Sequence, residues 1–499
     1  MNRRTFLHGS ALAGGAFVLG PLHALGLRAA AGQPPLEVVG YGPLVLKGDL
    51  WLPFEFNYQV ISRQGKPMSD GRPTPGIFDG MGAFPGRANT TILIRNHENR
   101  EQAGEIKVVT GPGLEYDESA FGGNTKLEVR RTKAGTEPVT GQQLYEYEVL
   151  RDFAILGGTS TNCAGGIRSP YQWLTCEEVV KRRGGAGTTF PERKHGYIFE
   201  IDARSDVPVP AIPVPQAGRR AHEAALEHAG IVYMTEDRSK SPDTIRGQIG
   251  AAFYRYVPTP RGGGVPLYTT SGPLEALAIR GVPNMDMDTA GVGVPYPVEW
   301  VPVPEPDHED DTDNRRDRMP SFTPNRVQAA DAGAAIFSRQ EGMWAGPGSA
   351  TNGAKIYFDC TSGGKIARGQ VWEYDPGRER LTLIYESTSR ATLENPDNIV
   401  IVPQTGDIFL QEDSSGEDYV RGVTLDGEIY NFCKSQTNNT EFCGGCFDPD
   451  GQTLYINMQG GRFLPAPDGT PPDPTTVAVT YAIYGPFEKR VGDRSRNMR

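Results

Sequence analysis

The stretch from Gly157 to Glu178, GGTSTNCAGGIRSPYQWLTCEE, carries the residue types with the most chemistry to offer. Cys163 follows a small polar turn, Thr159-Ser160-Thr161-Asn162, and precedes Ala164-Gly165-Gly166, where the backbone can approach a neighbour closely. Tyr171-Gln172-Trp173-Leu174-Thr175 is rich in aromatic and β-branched residues and reads as a strand. It ends on Cys176-Glu177-Glu178. A thiol beside glycines and a carboxylate pair at a strand end are two half-sites that one metal could join. On residue types alone, a small buried thiol and two solvated acids stand level with that reading.

Further acids share the setting of small or apolar neighbours, Gly/Pro turns and strand ends. They are Asp79, Glu98, Glu223, Glu236, Asp237, Glu341, Asp397, Glu412 and Asp413. Taken singly, each is an ordinary surface carboxylate. Gathered in one place they would repel strongly, so convergence requires bound cations. Oxygen ligands in number suit Ca²⁺, and a thiolate among them suits a softer, redox-capable metal such as iron. Arg339 stands two residues before Glu341, which on a strand puts both on one face. One could hold a metal while the other forks onto a phosphate oxygen; a structural salt bridge is the alternative.

The elements that must position these residues are short strands. Thr90–Arg95, 196–202, 230–235, 406–411 and 453–457 each alternate or run apolar and end at acids or turns. Asp448-Pro449-Asp450-Gly451 before Leu454-Tyr455-Ile456 is how many propeller blades begin, and 403–410 is a looser copy. The 62 glycines and 41 prolines are spread through the 499 residues, as many turns between many strands require. The predicted fold is all-β, a six-bladed β-propeller with loop insertions, in which acids at repeated strand ends converge on one axis. Helix is confined to short turns at 218–230 and 325–339. The acid-rich stretch 299–320 lacks the ligand spacing of an EF-hand and reads as a surface loop.

The formal net charge of −11 argues against nucleic acid as a partner and suits cations. Arg3-Arg4-Thr5-Phe6-Leu7, an apolar run from Leu12 to Leu27 and Ala29-Ala30-Ala31 form a twin-arginine export signal over 1–31, leaving 32–499 as one domain. Export by the twin-arginine machinery puts the protein in the periplasm or outside the cell. The six cysteines do not have the spacing of a small stapled scaffold. Cys443-Gly-Gly-Cys446 could be a redox pair, a zinc half-site or a disulfide, and a structural role fits best because no second CxxC completes a zinc site.

Several segments together resemble the PhoX family of alkaline phosphatases. They are Asp79-Gly80-Met81, Arg95-Asn96-His97-Glu98, Asn162-Cys163-Ala164-Gly165-Gly166 with Cys176-Glu177-Glu178, and Ala221-His222-Glu223. Thr235-Glu236-Asp237, Arg339-Gln340-Glu341-Gly342, Pro396-Asp397-Asn398, Glu412-Asp413 and Phe447-Asp448-Pro449-Asp450-Gly451 continue the likeness in order. The resemblance implies a propeller whose channel holds iron and calcium and hydrolyses small phosphate esters, with a metal-bound oxide or hydroxide as nucleophile. It implies that Cys163 bridges the irons, that Glu223 and Glu341 bind metal, and that Arg339 binds phosphate. Glu98, Glu177, Glu178, Glu236, Asp237, Asp397, Glu412 and Asp413 are then the candidates for the remaining iron and calcium positions, with Asp79 weaker. Gln411 departs from the family, which often has cysteine there. The expected protein is a monomeric phosphoric monoester hydrolase. The rival readings are a calcium-dependent propeller acting on lactones or phosphotriesters, and a calcium-binding propeller without catalysis.

Overall fold

The computed structural model describes residues 39–138, 141–168, 170–180, 193–262, 264–308, 324–346, 354–414, 416–438, 440–461 and 474–490. Residues 1–31, read from sequence as a twin-arginine signal, and most of the acid-rich stretch 299–320 lie outside the described residues; the start of that stretch is corrected from loop to strand, since it belongs to Pro295–Pro302.

The fold is a β-propeller of six blades. Their innermost strands are Phe78–Pro85, Asn162–Arg168, His222–His228, Gln340–Ala345, Pro396–Ile401 and Phe442–Phe447. Each packs against the next, and the last returns to the first, so the ring is closed. Within a blade the strands run antiparallel in chain order, as in Phe78–Pro85, Thr90–His97, Gly122–Thr136 and Gln143–Thr159. The sixth blade borrows its outer strand from the start of the chain: Val479–Tyr484 pairs with Asn57–Arg63. That pairing ties the ends of the ring together and leaves no gap between first and last blades. The third and fourth blades are joined into one nine-stranded sheet by Pro295–Pro302, which pairs with Leu274–Ile279 on one side and Arg380–Glu386 on the other.

Close approach of the inner strands explains their small residues. A Cβ on Gly166 would lie 2.2 Å from the carbonyl oxygen of Ala225, one on Gly80 2.7 Å from the Cα of Ala164, and one on Gly342 2.9 Å from the Cα of Asn398. The glycines after Cys163 thus let its strand meet the neighbouring blade. Asn162–Arg168 is itself a strand, which begins at the last residue of the expected polar turn. The expected helical turns at 218–230 are also corrected: His222–His228 is an inner strand. Its Ala and Glu residues favour helix, but packing between two blades overrides propensity. A helix does form at Asn325–Asp331. Larger apolar groups fill the spaces between blades, as where Phe253 stacks on Phe358 at 4.6 Å, and where Phe409 and Phe432 of the fifth blade, stacked at 4.4 Å, pack in one cluster with Phe447 of the sixth.

Candidate active site

The inner strands share one local device. In every blade the pairing of inner and second strand slips just after the first residues: between Phe78 and Met81, Asn162 and Gly165, His222 and Ala225, Gln340 and Met343, Pro396 and Asn398, and Cys443 and Cys446. A bulge re-aims the side chains at its position. The second residue of five inner strands falls there, Asp79, Cys163, Glu223, Glu341 and Asp397; in the sixth blade the second residue, Cys443, pairs with Asn457 just before the slip.

A second sixfold device stands beside the first. The N–H groups of Glu98, Glu178, Asp237, Thr361, Asp413 and Gln459 donate to the carbonyls of Ile77, Thr161, Ala221, Arg339, Asn395 and Glu441 respectively, at 2.8, 2.9, 3.2, 2.9, 2.9 and 3.1 Å. Each donor follows the end of a second strand and each acceptor precedes an inner strand. Four of the acceptor residues, Ile77, Thr161, Arg339 and Asn395, hold φ of 47°, 54°, 51° and 52°. This left-handed backbone costs about 1–3 kcal/mol at a non-glycine residue and marks sites that the surrounding structure enforces.

The two rings converge. Four groups have ligand atoms within 4.8 Å of one another: Asp79, Glu98 and Cys163; Cys163, Glu178 and Glu223; Glu178, Asp237 and Glu341; and Glu223, Glu341 and Asp397. Shared members make them one continuous cluster of seven carboxylates and a thiol. The Cys163 thiol donates to Asp79 Oδ2 at 3.5 Å. Among the described residues neither carboxylate oxygen of Glu223 has a hydrogen-bond partner, nor does Asp79 Oδ1, although all are buried. Burial, reinforced by the neighbouring acids, pushes Asp79, Glu178, Glu223 and Glu341 well above the usual carboxylate range and Asp397 up to about 7. The same burial and the same acids raise the Cys163 thiol. Orphaned buried oxygens, crowded acids and one sulfur are a donor set that fits cations: the oxygens suit a hard ion, the sulfur a softer one.

Arg339 lies over this cluster. Its Nε and Nη2 fork onto Asp237 Oδ1 and Oδ2 at 2.8 and 3.0 Å, and Nη2 also reaches Glu341 Oε1 at 3.0 Å. Cys163 is held from behind. Asn96 Nδ2 donates to the carbonyls of Cys163 and Ala164 at 2.6 and 2.7 Å, and the Asn96 carbonyl accepts from the Trp173 indole at 2.9 Å.

The acid pairs at strand ends divide by strand alternation. The second acid of each pair is in line with the mouth, while the first turns into its blade and is used there. Glu177 accepts from the N–H groups of Ser160, Gly196 and Tyr197 at 3.0, 2.8 and 3.1 Å and from His195 at 2.6 Å. Glu236 accepts from Tyr254 at 2.7 Å. Glu412 pairs with Arg421 at 2.9 Å and accepts from the N–H groups of Glu394 and Tyr419. The sequence places Glu177, Glu236 and Glu412 beside their neighbours as ligand candidates, yet none of the three belongs to the four close groups; both oxygens of Glu177 and of Glu412 meet fixed donors, and Glu236 Oε2 meets Tyr254. Asp413 lies outside the four close groups, with its charge acting on Asp397 and Glu441.

Sequence reasoning also missed a neighbour of the cluster that is in none of the four close groups. Cys443 is the sixth member of the inner ring, its thiol donating to the Phe78 carbonyl at 2.9 Å. It forms no pair with Cys446, which packs among Met81, Leu93 and Tyr455; all six cysteines are free and buried. The signal was present as a repeated pattern, an acid or cysteine followed by small residues: Asp79-Gly80, Cys163-Ala164-Gly165, Glu341-Gly342 and Cys443-Gly444-Gly445.

Comparison with known proteins follows the same lines. A family model described as alkaline phosphatase PhoX matches residues 39–461. Among solved structures, Pseudomonas fluorescens PhoX in complex with vanadate, a transition state analogue, is 16% identical with a TM-score of 0.61, over 90% of this chain and 98% of that one. A protein of unknown function from Dyadobacter fermentans is 9% identical with a TM-score of 0.38, over 88% of this chain and 100% of its own. A search of curated proteins finds no match.

Proposed function

The chain belongs to the family of PhoX alkaline phosphatases and is a phosphatase, and from that premise we propose that it hydrolyses phosphate monoesters at a mixed iron and calcium cluster in the propeller channel. The observation that carries the reading is the cluster of seven carboxylates around Cys163, two of whose members have orphaned buried oxygens, with Arg339 beside it. Cys163, Glu223 and Glu341 would hold the iron, the sulfur of Cys163 being common to two of the close groups. Glu98, Glu178, Asp237, Asp397 and Asp79 would share the remaining iron and calcium positions, with Asp413 nearby. Such a cluster supplies Lewis acidity: it neutralises phosphoryl charge and lowers the pKa of water.

The chain's own residues do the rest. Arg339 binds the phosphoryl oxygens with the part of its guanidinium that the Asp237 fork leaves uncommitted, and stabilises the charge that builds on them in the transition state. Asp237 orients that guanidinium through two parallel hydrogen bonds. Asn96 fixes the bulge that presents Cys163. Glu177 anchors the strand end from which Glu178 reaches the cluster. Cys163 acts as ligand, so no side-chain nucleophile is needed.

Residues 1–31 are proposed to direct export of the folded protein by the twin-arginine route to the periplasm or beyond, and the working form is proposed to be a monomer. The test is elemental analysis of the exported protein beside an assay on p-nitrophenyl phosphate at alkaline pH. Iron and calcium in the active protein, both lost with activity on chelation, are expected. Full activity in protein shown to hold neither metal would overturn the reading.

A further inference from the structure

A second arginine reaches the channel mouth from the far side of the ring. Arg100 follows the second strand of the first blade by three residues, whereas Arg339 immediately precedes the inner strand of the fourth. First and fourth blades stand opposite in a closed ring of six. Arg100 Nη2 pairs with Glu98 Oε1, a member of the cluster, as Arg339 Nη2 pairs with Glu341. The two carboxylates are each 1% exposed, while the arginine side chains are 44% and 34% exposed. Both guanidiniums therefore rest on a buried channel acid and present their remaining N–H groups outward.

The loop that carries Arg100 is tied down. Glu105 Oε2 accepts from the backbone N–H groups of Arg100 and Gln102 at 2.9 and 3.0 Å. Glu101 accepts from the Phe121 N–H at 3.2 Å and from the Ser160 hydroxyl at 3.1 Å, which links the loop to the second blade beside Cys163. Within the channel the charges acting on Arg100 are Glu98 first, then Glu178, Cys163 and Glu441, which belong to the first, second and sixth blades or the turns between them. Nη2 is the only side-chain nitrogen of Arg100 with a hydrogen bond among the described residues. A guanidinium has five N–H donors, so most of this fork is unspent.

We infer that Arg100 is a second phosphoryl-binding residue, gripping the substrate's phosphoryl oxygens from the side of the channel opposite Arg339. The inference rests on the phosphatase reading of the channel. A phosphoryl dianion offers three non-bridging oxygens, and two forks on opposite walls hold more of them than one fork can. The competing role is simple neutralisation of Glu98, in which Arg100 touches no substrate.

The test is titration of the metal-loaded protein with inorganic phosphate by calorimetry, with metal content measured on the same samples. Arg100→Ala is expected to weaken phosphate binding roughly tenfold and to raise KM for p-nitrophenyl phosphate by a similar factor, with metals retained; that is the lower end for a charge-assisted hydrogen bond, as suits a half-exposed group. Phosphate affinity equal to that of the unaltered protein would overturn the inference. Should Arg100→Ala shed metal, Arg100→Lys keeps a charge beside Glu98 without the fork, and decides: metals retained with weaker phosphate binding supports the role, metals retained with unchanged binding removes it. Failure of the parent reading looks different, because the unaltered protein would then hydrolyse no phosphate ester while phosphate titration could still report on Arg100.

Discussion

The side chain of Asn96 bonds to the backbone of Cys163: one amide nitrogen spans the carbonyls of Cys163 and Ala164, at 2.6 and 2.7 Å, across the boundary between first and second blades. The bulge that turns the thiol into the channel is therefore held by a residue of another blade. Asn96→Asp keeps the shape but replaces the donor with an acceptor, leaving two buried carbonyls unsatisfied. Each such loss costs about 1–3 kcal/mol. The expected result is a lower midpoint of thermal unfolding together with reduced iron per protein, read by calorimetry and elemental analysis. A stable variant with full iron would show that the bulge holds itself.

Cys163→Ala removes the sulfur while the strand and its glycines stay in place. Loss of an outer-shell partner typically costs about 10–100-fold in metal affinity or activity, and a ligand shared by two close groups should cost more than that range. Phosphatase activity and iron content should fall together, while calcium held through carboxylates outside the two close groups that share Cys163, such as Asp237 and Asp397, should be retained in part. Activity preserved without iron would remove Cys163 from the chemistry.

These variants act on features that the sequence disclosed unevenly. Cys163, Glu223 and Glu341 were legible because each sits where an inner strand begins and is followed by alanine or glycine, and Asp397 because it follows a proline at the start of an apolar strand. The paired acids were legible as pairs but not as individuals. In Glu177-Glu178, Glu236-Asp237 and Glu412-Asp413, adjacent side chains take opposite faces, and only pairing with the inner strand decides which face is the channel. Residues 218–230 misled because alanine and glutamate favour helix, while burial between two blades demanded a strand. Asn96 and Arg100 could not be placed from sequence, since their partners lie in a different blade or across a turn whose direction is set by tertiary contacts.

Removal of the metals should make stability depend on pH. Asp397, raised by burial and then by Asp413 to about 7, binds a proton more tightly folded than unfolded, and its neighbours Glu223 and Glu341 are shifted the same way. For such groups the stabilising contribution is complete below the ordinary carboxylate range of about 4 and is lost as pH rises through the folded value. Metal-free protein should therefore unfold at lower temperature at pH 8 than at pH 5, and cations should restore it most at the higher pH, because they displace the protons. Thermal scans of chelated and reloaded samples at both pH values check this. Equal midpoints in the chelated samples would show that the buried acids are compensated some other way.

His195 supplies an opposite case outside the cluster, since here the charged form is the stabilising one. Its ring bridges Glu177 at 2.6 Å and Asp117 at 3.4 Å, and although burial opposes the charge, the two carboxylates raise it to about 9. A histidine shifted upward contributes fully below its ordinary value of about 6.5, and that contribution is lost as pH rises through about 9. His195→Gln, able to donate to one acid but never charged, should be less stable than the parent at pH 6, by about 1–3 kcal/mol for the lost charged hydrogen bonding. The deficit should narrow by pH 10, where the parent's imidazole is neutral as well. Denaturant unfolding of metal-loaded samples across that range gives the difference directly, and a deficit that does not change with pH would mean that His195 serves by packing rather than by charge.

Gly166 tests the closure of the ring itself. Its missing side chain leaves room for the carbonyl of Ala225, which a Cβ would approach to 2.2 Å. Backbone cannot rotate away as a flexible side chain can, so Gly166→Ala must push apart the inner strands of the second and third blades, where Cys163 and Glu223 share a close group. Overpacking of this kind costs about 1–3 kcal/mol. The larger effect should be on the metals, since ligand atoms held to a few tenths of an ångström lose affinity when one strand shifts. Gly71→Ala, in a surface turn with no atom within 4 Å of its Cβ, is the control; at φ +81° it carries backbone strain but no clash. Reduced iron and activity in Gly166→Ala with both retained in Gly71→Ala is the expected result, whereas equal losses would trace the effect to general destabilisation and not to the spacing of the two ligand strands.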